Sequence, residues 1–195
     1  MNSLIITRVK GKEAHEHLHN LAALRIEIFK EYPYLYQGDL DYELTYLKTY
    51  LNSLETNIVL VKDEDKIIGY STAIPLIFES AACQKPFIEN NFALEKYFYL
   101  GESILLPEYR NRGVYRKFFE EREMAAKEYG CSITTFCAIH REKNDVRRPK
   151  EYSSLNPVWQ YFGYKKNKLW TEFSWVEIGQ KDETINRMLF WEKKI

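Results

Sequence analysis

Cysteine is scarce in this chain, with residues only at positions 83, 131 and 137. The number is odd and the spacing fits no metal-binding pattern, so neither a disulfide framework nor a metal site is expected. Net charge is missing too, because 28 Lys and Arg are balanced by 28 Asp and Glu. A nucleic-acid binder usually carries a basic excess, so that partner is not expected either. No apolar run is long enough to cross a bilayer, and the start MNSLIITRVK is too short for a secretory signal. A cytoplasmic protein without a membrane partner is the expectation. Repeats and low-complexity linkers are absent, and 195 residues are read as a single domain over 1–195.

Aromatic residues, by contrast, are plentiful, with 15 Tyr and 11 Phe. A minimal core needs fewer, so the surplus must line a cleft or an interface, and a homodimer is left open. Hydrophobic periodicity predicts a strand from Leu4 to Val9 and a helix from Glu13 to Phe29, stopped by Pro33. A second helix is predicted from Asp41 to Leu51, with Asp41 as its N-cap. Asn57 to Lys62 and Lys66 to Pro75 read as a hairpin, and Phe78 to Lys96 as an excursion with a short helix. Tyr97 to Leu106 is then a strand, Pro107 to Arg112 a tight loop and Gly113 to Tyr129 a helix. That helix carries an apolar stripe of Val114, Phe118, Ala125 and Tyr129, interrupted by Glu121 and Arg122. Ser132 to Ala138 is a strand that closes a βαβ crossover. After a long loop come a short helix at Pro157 to Phe162, stopped by Gly163, and antiparallel strands near Leu169 to Trp175 and Arg187 to Trp191. The order β-α-α-β-β-β-α-β-α-β-β makes a mixed α/β sheet with helices on its faces.

The segment LLPEYRNRGVY delivers a strand to a loop that opens a helix. A helix start has unpaired N–H groups and the positive end of the dipole, and both attract phosphate. Gly113 lets an anion approach the backbone, and Arg110, Arg112, Arg116 and Lys117 add positive charge. Arg110, Gly113 and Tyr115 fall on the Gln/Arg-x-x-Gly-x-Gly/Ala pattern, with Tyr115 in place of the final small residue. This stretch resembles motif A of the GNAT superfamily of N-acetyltransferases. PVWQYFGYK (Pro157 to Lys165) is similar to the family's second signature, and the element order agrees along nearly the whole chain.

The resemblance implies a mostly antiparallel, twisted sheet with one splayed parallel pair, Tyr97–Leu106 and Ser132–Ala138. It implies acetyl-CoA as co-substrate, held by Ile104, Leu105, Leu106, Arg110, Asn111, Arg112, Gly113, Val114 and Tyr115. An acetyl group would pass to a primary amine of a small molecule or peptide by direct attack in a ternary complex. An alkyl ammonium has a pKa of about 10.4, so a general base is useful at neutral pH. Glu102 is the one acid in YFYLGESILL, and strand alternation puts it on a face with Phe98, Leu100 and Ile104. A carboxylate partly withdrawn from water there suits a base. A backbone N–H around Ile104–Leu106 would stabilise the oxyanion. Trp159 stands where family members often have the tyrosine that protonates the thiolate, which leaves Tyr161 and Tyr152 as candidate acids. Tyr34, Tyr36 and Asp39, within an acidic and aromatic run that includes Tyr32, Asp41 and Glu43, are expected at the acceptor mouth. His15, His17 and His19 read as a solvated helix face, and Cys137 near His140 as a small buried thiol. The competing function is a non-catalytic acyl-CoA-binding sensor or interaction module.

Overall fold

The computed structural model describes residues 3–195. Seven strands form one mixed sheet: β1 (Ile5–Lys10), β2 (Asn57–Asp63), β3 (Lys66–Pro75), β4 (Tyr97–Leu105), β5 (Ile133–Ile139), β6 (Lys165–Val176) and β7 (Glu183–Lys194). Their spatial order is β1-β2-β3-β4-β5-β7-β6. Five α-helices flank them: α1 (Leu18–Phe29), α2 (Leu40–Asn52), α3 (Ala81–Glu89), α4 (Val114–Tyr129) and α5 (Asn156–Tyr161). Strand β3 is buried from Ile67 to Pro75, as expected for a central strand covered by helices on both faces.

All neighbours pair antiparallel except β4 and β5. That parallel pairing lasts only from Tyr97↔Ile133 to Tyr99↔Thr135. Beyond it β4 stays with β3 and β5 stays with β7, so the two strands part at the middle of the sheet.

Helix α4 bridges the parted strands. Phe118 and Phe119 are buried from it into the core, each worth about 1.5–3 kcal/mol of burial. Gly130, at φ 94°, ends the helix, and the Cys131 N–H bonds the Ala126 carbonyl at 2.9 Å.

Three readings of the sequence need correction. The helix expected from Glu13 begins only at Leu18, and Gly11–His17 is a 3-10 turn in which Glu13 bonds the Lys10 N–H at 2.6 Å. The cap of α2 is Asp39, whose carboxylate accepts from the Tyr42 N–H at 2.8 Å, and Asp41 sits in the first turn. On α4, Tyr129 is 38% exposed, whereas Arg122, expected to interrupt the apolar stripe, is 2% exposed. Arg122 Nε donates to the Phe118 carbonyl at 3.0 Å, and its guanidinium lies 5.3 Å from the Phe119 ring centre. Burial lowers its pKa.

Candidate active site

The loop after β4 ends at Gly113, which caps α4 at φ 81°. Asn111 before it is also left-handed, at φ 63°. Arg116 closes the first turn with its N–H on the Gly113 carbonyl at 3.1 Å, which leaves the Val114 and Tyr115 amides without helical partners. A Cβ at Gly113 would meet nothing within 4 Å, so the helix end faces open space. Gly113, Val114, Arg112, Arg116 and Lys117 line a groove there with Leu4 and Ile6. Arg112 is steadied by the Glu108 carbonyl at 3.0 Å, and Arg110 is drawn to Glu31 at 3.1 Å. Ile104, Leu105 and Leu106 are buried, and the Leu106 N–H is bonded to the Ile68 carbonyl at 3.0 Å.

Tyr115 turns inward from this loop. Its hydroxyl accepts from Trp159 Nε1 at 3.0 Å, and its ring meets Phe119 edge-on at 5.3 Å. Burial raises the Tyr115 pKa, while the Trp159 N–H, Arg122 and Ser103 oppose the rise. The larger residue in the family pattern thus occupies the interior and leaves the anion groove open.

In β4 the register against β3 slips between Ser71↔Ser103 and Ala73↔Leu100, so three steps on β4 match two on β3. That bulge at Gly101 and Glu102 breaks the alternation. Phe98 and Leu100 pack with Phe119 and Ala125 of α4, but the Glu102 carboxylate reaches Tyr46 of α2, on the opposite face. Ile104, opposite Tyr70, lies on the Glu102 side. The expectation of one shared face is therefore wrong.

Glu102 is 8% exposed. One of its oxygens lies 3.4 Å from the Tyr46 hydroxyl, and the other is buried with no partner. The Tyr70 hydroxyl and Thr72 Oγ1 are likewise buried and unpartnered. Arg25 does not neutralise Glu102 directly, because it forms a 2.6 Å ion pair with buried Glu43 and stacks 4.3 Å from the Tyr46 ring centre. Tyr46 and Tyr50 are 3.3 Å apart at their hydroxyls, and Tyr50 donates to Glu79 at 2.6 Å.

Tyr34 stacks on Phe29 at 4.3 Å between ring centres. Burial raises the pKa of its hydroxyl, and the groups that act on it are Cys137, Arg25, Tyr115 and Glu102. It therefore stands among the residues around the strand opening. Burial and the nearby Glu43 carboxylate raise the Tyr36 pKa, and Asp39 is committed to the α2 cap. Tyr152 packs edge-on against Tyr32 at 4.6 Å, under the Arg148 guanidinium. Tyr161 is 72% exposed and accepts from Arg116 at 3.1 Å. The structure therefore gathers Glu102 and Tyr34 at the opening, with the Tyr115 hydroxyl within electrostatic reach of Tyr34, and puts Tyr152 and Tyr161 in other surroundings. Cys137 contacts the Tyr99 hydroxyl at 3.1 Å, while His140 turns to Glu142. His15 bonds Asn52 at 3.0 Å, and among the described residues no group of His, Cys, Asp and Glu could hold a metal ion.

Sequence reasoning missed Tyr46, Tyr50 and Glu79. The spacing of the two tyrosines, one helical turn apart in α2, was the available signal.

No protein-family model and no curated protein sequence matches the chain. Solved structures do match. A protein of the GNAT family from Desulfovibrio desulfuricans is 11% identical, covering 98% of this chain and 99% of its own, with a TM-score of 0.59. The ribosomal-protein-alanine N-acetyltransferase of Brucella melitensis is 14% identical, covering 98% and 99%, with a TM-score of 0.62. The yncA protein of Salmonella typhimurium, solved with its cofactor acetyl-CoA, is 11% identical, covering 99% and 94%, with a TM-score of 0.60. At such identities the likeness is one of fold. Over 98–99% of its length, this chain has the fold of the GNAT acetyltransferases.

Proposed function

We propose that the chain is an acetyl-CoA-dependent N-acetyltransferase acting on a primary amine of a small molecule or peptide. One observation carries the reading: β4 and β5 part after Tyr99, and a bulge turns a buried, half-unpartnered Glu102 to one face of that opening. The open helix end at Gly113 suits a pyrophosphate, with the Val114 and Tyr115 amides as donors and Arg112 and Arg116 as counter-charges. Bound there, acetyl-CoA would supply the activated acyl group. Tyr34, Tyr46 and Tyr70 wall the Glu102 side with aromatic surface, which suits an amine that arrives as a cation. Glu102 takes the proton from that amine. Tyr115 is added to Tyr152 and Tyr161 as a candidate for protonating the leaving thiolate, since its hydroxyl is the one buried within the fold's centre.

Acetyl-CoA should raise the melting temperature by mass action. Thiol release should then appear when amines are added, one thiol for each N-acetyl group formed. The second reading, a binding module without turnover, rests on Trp159 in the place of the family's tyrosine. It is favoured if the melting temperature rises but no amine releases thiol.

A further inference from the structure

The hydroxyls of Tyr46 and Tyr50 and the Glu79 carboxylate form a line whose polar groups the transfer reaction above does not use. From buried Glu102 it runs 3.4 Å to Tyr46 Oη, 3.3 Å on to Tyr50 Oη and 2.6 Å to Glu79 Oε2. Tyr50 is 2% exposed, so its hydroxyl is spent wholly inside the protein. Glu79 is half-buried, between exposed Phe78 and exposed Ser80, at the junction of β3 and α3. The line therefore leads from the interior carboxylate to the surface.

We propose that these three residues are a proton exit for Glu102, an inference that rests on Glu102 being the base. Tyr46 has one hydroxyl proton and two acceptors, Glu102 and Tyr50. When Glu102 is ionised, that proton points to Glu102. When Glu102 has taken a proton and its carboxyl has turned, it donates to Tyr46 Oη instead. Tyr46 then releases its own proton to Tyr50 Oη, and Tyr50 releases its proton to Glu79. Each O–H bond broken is matched by one formed, both tyrosines end neutral, and one proton has moved from Glu102 to Glu79. Water then takes it from Glu79.

The surroundings favour that direction. Burial raises the pKa of Glu79, opposed by hydrogen bonds from the Ser80 N–H and Tyr50, so Glu79 can hold the arriving proton. Glu102 and Tyr99 of β4, Cys83 of α3 and Tyr46 and Tyr50 of α2 are titratable groups acting around Glu79. Around Tyr46 they are Arg25 of α1, Tyr70 of β3, Glu102, Glu79 and Tyr50. Arg25 is occupied by Glu43, so among the described residues no free cation interrupts the line.

The test compares wild type, Y50F, E79Q and E102Q with acetyl-CoA and the fastest of tyramine, spermidine and an alanine-initiated peptide. Y50F and E79Q should lower kcat about tenfold, less than loss of the base itself, with the acetyl-CoA KM unchanged. Imidazole buffer should restore kcat in both variants as its concentration rises, while wild type should not respond. In the E102Q background Y50F should cost nothing further, because coupled residues are not additive. The relay is overturned if E102Q is impaired while Y50F and E79Q keep wild-type kcat and pH profile. It is also overturned if their losses ignore buffer and come with a lowered melting temperature, as a merely structural role would give. A near-normal E102Q, or no turnover of any of the three amines, overturns the base assignment and the relay with it.

Discussion

At Gly101 an added Cβ would lie 2.2 Å from Thr72 Oγ1 and 3.6 Å from the Tyr50 hydroxyl. The missing side chain is what lets β4 bulge beside β3 and turn Glu102 toward α2. Gly101→Ala should therefore destabilise the chain by about 1–3 kcal/mol in urea unfolding, as overpacking does, and should displace Glu102. Thr72→Ala removes the clashing oxygen, itself buried without a partner, and should recover most of the loss in the double variant. Additive losses in that double-mutant cycle would contradict this account of the bulge. Glu102 was legible in the sequence as a lone acid in an apolar strand. Its orientation was not, because the bulge depends on how Gly101 meets Thr72 on a neighbouring strand, and alternation along one strand carries no such information.

Among the elements, α4 ties the phosphate groove to the strand opening. Gly113 sits at φ 81°, which costs an L-residue roughly 1–2 kcal/mol, yet its surroundings leave room for a side chain. Gly113→Val should thus fold, at a lowered melting temperature, while the branched chain projects into the space where the anion would sit. Differential scanning fluorimetry should then find no stabilisation by acetyl-CoA. A folded Gly113→Val protein with the wild-type shift would remove the helix end from the binding site. Helix α4, its glycine start and the strands beside it were readable from periodicity and loop chemistry. The burial of Arg122 was not, since a guanidinium capped by the Phe118 carbonyl and Phe119 ring looks on paper like an interruption of the stripe. The Glu102–Tyr46–Tyr50–Glu79 line was equally hidden, as its members meet only when β4, α2 and the end of β3 pack together.

For the whole molecule, stability should carry two opposite pH signatures. Glu79 is harder to ionise in the folded chain than in the unfolded one, because burial raises its pKa. Its neutral form stabilises the fold at low pH, and that contribution is lost as pH rises through the raised value. Glu79→Gln should accordingly melt higher than wild type at pH 7, with the gap closing below about pH 4. Asp145 runs the other way. Its hydrogen bond to Arg147 lowers its pKa to about 2, so its stabilisation is present at neutral pH and lost as pH falls through that value. Asp145→Asn should melt lower than wild type at pH 7 and converge with it in strong acid. Parallel curves for wild type and variant would contradict either assignment.

The most direct test of the transfer reaction is the pH dependence of kcat for wild type and Glu102→Gln, with saturating acetyl-CoA and amine. Gln keeps the shape of the side chain in its buried place beside Tyr46 and removes its basicity. Wild type should lose activity on the acid side, as a reaction that needs a general base does. The variant should bind acetyl-CoA normally, fall about 10²–10⁴-fold in kcat and lose that acid limb, its residual rate tracking the fraction of neutral amine. A variant with near-normal kcat and the same acid limb would contradict the account and make Glu102 a structural carboxylate.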